Sequence, residues 1–482
     1  MLARSDLARA FISLVSVMMS SFLCVPKFCD AEPAHWVTAY YGAWELGNGS
    51  NGYLPVSDVD FSAFTDVIDF ALVPNADGTI DTSTNGITSE GTEKLIRAAH
   101  SASAKVLICV GGAGSGTDFE RATDTGHLSE FVRNLIDFVR VNKFDGIDID
   151  WEPINAQDYY PFTALARALH DSLKAISKAD FLTTTCSPGN KKIMSLDQNY
   201  FEQVNIMTYE MSFPTGGWVV WFNSPVYDGG LKFPGLKTHL PSIKAVVDNF
   251  EKAGVAPDKI GIGAELGGTV WTGVTEPDES LFSLNSVMYD VPLYSHDSTG
   301  IMQHYYKPYY YHWDSLAQVG YLSIPQQRGK PACFVSYDDS ASIEAKARFI
   351  RKEGLGGIII YELGMGYPGH GSYPLLQSIK SDFLYYVPIT SGNVGLFGSL
   401  YQNYPNPFNP VTAISFRIDT PAHVTLDIYN ILGERIATLI DSYLLPGSYS
   451  REWNGSGDAS GVYLFALRIN NVSIMRKMVL LK

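Results

Sequence analysis

Between residues 36 and about 385 short apolar runs with strand character alternate with longer stretches whose apolar positions recur near every 3.6 residues. The strand candidates are "WVTAYYG", "DVIDFAL", "KVLICVGG", "FDGIDIDWE", "FLTTTCSPG", "QVNIMTYEM", "KIGIGAEL" and "GGIIIYEL". Helical stretches such as "SEFVRNLIDFVRVN", "YYPFTALARALHDSLKAIS" and "SIEAKARFIRKEG" separate them, each with one apolar face. Eight successive β-then-α units predict a TIM (β/α)8 barrel, an α/β fold, although the same alternation could wind an open sheet. One segment, Gly268 to Ile324, breaks the repeat after the seventh strand. It is too aromatic for a linker and reads as an insertion near the barrel mouth. From Tyr401 the texture changes to β-rich runs, "TAISFRI", "HVTLDIYNILG", "GVYLFALRI" and "SIMRKMVLLK", broken by Pro, Gly and Asn turns. This predicts a small all-β sandwich over residues 401–482, after a linker at 386–400.

The fourth strand candidate carries the chemistry. "FDGIDIDWE" places Asp145, Asp148, Asp150 and Glu152 among apolar and aromatic neighbours. Side chains alternate along a strand, so Asp148, Asp150 and Glu152 share one face while Ile147, Ile149 and Trp151 share the other. In a barrel the acidic face looks inward and Glu152, at the C-terminal end, reaches the mouth where that fold places its active sites. Carboxylates crowded in a poorly solvated space cannot all ionise cheaply, so at least one holds its proton at neutral pH, as a general acid must. Asp145 falls outside this parity and reads as a brace at the strand's start. A divalent metal site competes with this reading, but the string lacks both a calcium-loop glycine and a histidine.

Charge and the N-terminus narrow the setting. A net charge of -15 and a pI near 5.1 disfavour nucleic acid and anionic lipid as partners. Arg4 and Arg9 precede an apolar run from Ala10 to about Val25, with small residues near Ala31, the pattern of a secretory signal peptide over residues 1–31. A membrane anchor is the alternative, but the run is short for a span. Removal at Ala31 would leave Cys109, Cys186 and Cys333, too scattered for a disulfide framework.

"DGIDIDWE" resembles the signature of the family 18 glycoside hydrolases, the chitinase family, and the resemblance extends in strand order through "MTYE" to "FVSYDDSASIEAKARFIRKEGLGGIIIYELG". It implies a retaining hydrolase without an enzyme nucleophile and without cofactor or metal, acting on chitin or another oligosaccharide containing N-acetylglucosamine. Glu152 would protonate the glycosidic oxygen while the sugar's own acetamido oxygen attacks the anomeric carbon. Asp150 would orient the acetamido N–H, Asp148 would tune Asp150, and Tyr209 would donate to the acetamido carbonyl. Tyr40, Met207, Glu210 and Tyr361 match positions lining that sugar, and Trp218 is a candidate for stacking sugars, in preference to Trp221. Trp271 and "HYYKPYYYHW" could extend a cleft or fill the insertion's own core.

Three positions depart from the family pattern. Cys109 stands where it has Ser, ahead of Gly111 and Gly112; Glu210 replaces an Asp; Tyr361 replaces a Trp that floors the sugar pocket. These departures imply altered affinity or a different oligosaccharide preference. Two alternatives stand beside the chitinase reading: an endo-β-N-acetylglucosaminidase acting on N-glycans, which cuts at the same reacting sugar, and a carbohydrate-binding relative without activity, against which the intact Glu152 speaks. The tail's "YPNPFNPVTAISFRI" and closing "KMVLLK" resemble the Ig-like C-terminal sorting domain of type IX secretion. That implies a bacterial protein secreted or displayed at the cell surface, with the secretion machinery as partner.

Overall fold

The computed structural model describes residues 35–46, 54–176, 181–213, 218–277, 288–295, 297–369, 373–384, 398–418, 421–430, 435–469 and 472–482. The expected signal peptide lies outside these residues. Eight parallel strands form a closed barrel: β1 Trp36–Gly42, β2 Asp66–Pro74, β3 Lys105–Gly112, β4 Gly146–Trp151, β5 Phe181–Cys186, β6 Gln203–Ile206, β7 Ile260–Glu265 and β8 Gly357–Tyr361. Neighbours follow chain order, and β1 pairs with both β8 and β2, which closes the sheet. The open-sheet alternative is thereby eliminated.

Helices α1 Ser89–Ser101, α2 Leu128–Asn142, α3 Tyr159–Ile176, α4 Ile243–Ala253 and α5 Ser340–Glu353 pack outside the barrel. Side-chain caps start α1, α4 and α5, and left-handed glycines end α4 and α5. The Asp339 carboxylate accepts from the Ser342 N–H at 2.8 Å to start α5, and Gly354 at φ 67 ends it. On α2 the face Phe131, Val132, Leu135 and Val139 is buried. The outward side of β4 meets this layer: Trp151 stacks on Phe119 with centroids 4.6 Å apart and planes at 8°. That leaves the other face of β4 to the barrel interior.

Residues Gly267–Thr272, Met288–Pro292, Tyr311–Asp314, Val319–Ile324 and Cys333–Tyr337 form a five-stranded antiparallel sheet. The excursion therefore runs further than Ile324, because Cys333–Tyr337 pairs with Gly267–Thr272 and completes it. Trp271 is fully buried there beside Phe334, so it fills the insertion's core. In the tail, Gly398–Leu400 and Val411–Ile418 join Gly447–Asn454 in one sheet. Arg435–Leu444, Ala422–Asn430, Gly461–Ile469 and Val472–Leu480 form the other. Phe416, Leu426, Trp453 and Phe465 are buried in its core. Gly398–Leu400, expected within the linker, is already a strand of this unit; residues 385–397 lie outside those described. Among the described residues no helix is long and apolar enough to cross a membrane.

Candidate active site

Asp148 sits inside the barrel with no exposed surface. It accepts from the Thr183 hydroxyl at 2.6 Å, the Tyr40 phenol at 3.0 Å and the Thr185 hydroxyl at 3.4 Å. The Cys109 thiol, opposite it on β3, adds a further weak donor. Burial still pushes its carboxyl above the ordinary range, and these donors work against the rise.

Asp150, two residues on, lacks such help. Burial pushes its pKa far up, with the negative charges of Glu152 and Asp148 adding to the effect. Its Oδ1 is buried and has no hydrogen-bond partner among the described residues. Glu152 is half-buried and bonded to Asp150; burial raises its pKa, the bond opposes the rise, and Glu210 adds a repulsive charge. Two carboxyls this close hold a proton between them well above the usual carboxylate range. Glu152 also borders a cavity of about 230 Å³ lined by Ala113, Gly114, Trp151, Pro153, Ser187 and Asn190.

The crowding is possible because β3 carries glycines beside the acids. Gly111 has φ +117, and a Cβ there would lie 2.0 Å from the Asp150 carbonyl oxygen. Gly112, at φ +104, likewise leaves space for the Phe70 ring at 3.0 Å. An aromatic floor closes the site: Tyr361 lies 5.9 Å from Tyr40 and 6.1 Å from Phe70, and Trp44 meets Phe70 edge-on at 5.8 Å. Tyr209 stacks on Tyr361 at 5.9 Å and 19°. Burial, then the neighbouring phenol and acids, raise the Tyr209 pKa well above its ordinary value, so its hydroxyl remains a donor. Its ring fits because β7 offers Gly263, where a Cβ would come within 2.7 Å of it.

Asp148, Asp150, Glu152, Tyr40, Cys109, Tyr209, Tyr361 and Glu210 thus gather in one place. Glu210, at φ 51, keeps exposed surface while its carboxyl is partly withdrawn from water, and that desolvation, followed by the charge of Asp290, raises its pKa. Met207 is half-buried just past β6, its N–H bonded to the Cys186 carbonyl at 3.0 Å. Trp218 packs edge-on against Phe213 at 5.1 Å and Phe233 at 4.9 Å, in a separate aromatic group. Trp221 is buried and donates to the Pro241 carbonyl at 2.8 Å. Asp145 stands outside the site, accepting from the Val106 N–H at 2.7 Å and facing His100 at 2.7 Å. Sequence reasoning passed over Trp44, Phe70, Thr183, Thr185, Asn223 and Glu265. The alternation in "FLTTTC" could have exposed Thr183 and Thr185, which face inward like the acids beside them.

Several buried acids set a pH dependence of stability. Burial raises Glu265 and Glu362 from 4.5 to about 8, and Asp69 from 3.8 to about 7. These groups hold protons in the folded chain that the unfolded chain has released above pH 5. Their contribution is complete below the unfolded values and is lost as pH rises through about 7 to 8. The thermal midpoint is therefore expected to fall by several degrees between pH 5 and pH 9 in calorimetry. A flat profile, or a higher midpoint at pH 9, would contradict it.

A closed β/α barrel with a proton-sharing acid pair at its C-terminal rim, over an aromatic floor, defines a sugar-processing type of site. Residues 37–366 match the model of glycosyl hydrolases family 18, and the chain belongs to that family. Residues 402–481 match the secretion system C-terminal sorting domain. Among curated proteins, the chain is 26% identical over 307 residues to Chitinase A1 of Niallia circulans, covering 58% of this chain and 42% of that one. It is 24% identical over 308 residues to Chitotriosidase-1 of Mus musculus, covering 58% and 63%. The chain thus spans less than two thirds of the length of these relatives. The crystal structure of the Ostrinia furnacalis Group IV chitinase shares the fold, with a TM-score of 0.61 at 20% identity, covering 73% of this chain and 100% of that one.

Proposed function

We propose that this protein is a secreted chitinase that hydrolyses β-1,4 bonds between N-acetylglucosamine units with retention of configuration. The observation that carries the proposal is the orphaned Oδ1 of Asp150, buried beside Glu152. A buried acceptor without a partner is costly, and an acetamido N–H is a partner of the right polarity. In this reading Glu152 gives its proton to the glycosidic oxygen as the C1–O bond breaks. The acetamido oxygen forms the new bond to C1 from the opposite face, giving an oxazolinium ion. Asp150 accepts the acetamido N–H and balances its positive charge, while Asp148, held by its hydroxyl donors, keeps Asp150 in place. Tyr209 donates to the acetamido oxygen and orients it. Water, deprotonated by Glu152, then opens the ring from the side the leaving group vacated.

Further parts of the reading follow the likenesses. We take residues 32–385 as the catalytic unit and 401–482 as an address for type IX export that follows removal of residues 1–31. The curated chitinases support chitin as the substrate class. The test is to incubate the full chain with colloidal chitin and with a high-mannose glycoprotein and identify products by mass spectrometry. N-acetylchitooligosaccharides from the first are expected. Glycan release alone would replace this reading with an N-glycan endoglycosidase, and turnover of neither with a lectin.

A further inference from the structure

Strand β7 ends on Glu265, a buried acid that belongs to neither the proton-sharing pair nor the aromatic floor. Its Oε2 accepts from the Asn223 Nδ2 at 2.7 Å. On the other side of that amide, Asn223 Oδ1 accepts from the Glu210 backbone N–H at 2.9 Å and from the Thr269 hydroxyl at 3.1 Å. The Asn223 main chain completes the clasp: its carbonyl accepts from the Met211 N–H at 2.9 Å, and its N–H donates to Ser336 Oγ at 2.9 Å.

The clasped segment needs holding. Glu210 has φ 51, a left-handed conformation that residues other than glycine keep only where their surroundings over-determine it. A side-chain amide has two orientations of nearly equal shape, and only one turns its oxygen toward the Glu210 N–H. An acceptor at Glu265 selects that orientation. On the preceding side, Thr208 is fixed separately, its carbonyl accepting from Ser224 Oγ at 2.5 Å, and its hydroxyl accepting from the Gly263 N–H at 2.7 Å. Tyr209 lies between the two fixed points, so its ring position depends on both.

We propose that Glu265 is a positioning residue: by orienting the Asn223 amide it holds the left-handed Glu210 backbone, and with it the Tyr209 hydroxyl, in the geometry the reaction needs. Its kinetic consequence rests on the chitinase reading, whereas the clasp itself does not. The test therefore uses two readouts on the full chain and its Glu265→Ala, Glu265→Gln and Asn223→Ala variants. Without substrate, hydrogen exchange of peptides covering residues 208–213 is followed by mass spectrometry; with a soluble chitin oligosaccharide, kcat and KM are measured.

Glu265→Ala and Asn223→Ala are expected to speed exchange at the Glu210 and Met211 amides by about tenfold, since both lose protection when the clasp opens. They should lower kcat by about tenfold or more with KM within a factor of about three, because misplacing a reacting group costs rate rather than binding. Glu265→Gln, which still offers a carbonyl oxygen to Asn223, should restore both. Unchanged exchange in Glu265→Ala, a Gln variant no better than Ala, or a fall in thermal midpoint alone with normal kcat would overturn the proposal. A parent without turnover would count against the chitinase reading, and exchange would still decide the clasp.

Discussion

Glu152→Gln is expected to lower kcat on chitin oligosaccharides by about 10³-fold, within the range that a lost general acid costs. A glutamine amide fills the same space and hydrogen-bonds, but it has no proton acidic enough for the departing sugar oxygen. The acid's environment supports this assignment. Burial and the neighbouring carboxyls raise the pKa values of Glu152 and Asp150 together, so the pair keeps a proton above the ordinary carboxylate range. KM should change little, since the aromatic floor of Tyr40, Phe70 and Tyr361 stays intact. The thermal midpoint should hold or rise, because the substitution removes an acid whose burial raises the cost of its charge. Initial rates by product chromatography beside a melting curve read both effects. A variant retaining more than about a tenth of the parent kcat would remove Glu152 from this role.

The barrel was legible because its two periods are clean: alternating or wholly apolar runs for β1 to β8, and one apolar face on each helix between. The inward, acidic face of β4 followed from parity alone, since Ile147, Ile149 and Trp151 occupy the side that packs against helices. Strand ends were less visible. "QVNIMTYEM" reads as one strand, yet β6 stops at Ile206 because the chain turns through a left-handed Glu210 to meet Asn223. No local pattern announces that turn, as its partner lies 13 residues away.

The same limit explains Glu265. At the end of an apolar run it resembles a strand terminus meeting solvent, and only the packing of the insertion sheet and the Asn223 loop shows it buried. Trp218 and Trp221 illustrate a related ambiguity. Both stand in one short aromatic run, but the indole of Trp221 finds a carbonyl acceptor inside the fold while Trp218 stays half-buried between Phe213 and Phe233. Composition cannot separate two such residues, because the choice depends on where the Pro241 carbonyl arrives from a distant stretch of chain. The five-stranded sheet was recognised only as an insertion, since the pairing that unites it joins its first strand, Gly267–Thr272, to its last, Cys333–Tyr337.

The second large effect concerns the substrate. If the attacking group is carried by the sugar, removing the acetyl group from the reacting unit deletes the nucleophile while leaving Glu152, Asp150 and the aromatic floor untouched. Attached nucleophiles have effective molarities of about 10⁵ M and above, so their loss cannot be offset by a water molecule in the same site. The free amine left behind is attached directly to C2 and could reach C1 only by closing a strained three-membered ring, so it does not replace the acetamido oxygen. The rate should fall by at least about 10³-fold on this account. Two chitin oligosaccharides are compared, identical except for N-acetyl or free amine on the sugar whose C1–O bond is cut, with initial cleavage at that bond followed by mass spectrometry. Rapid cleavage of the acetylated chain is expected, and none above background for the other. Equal rates for the two would contradict a nucleophile carried by the sugar.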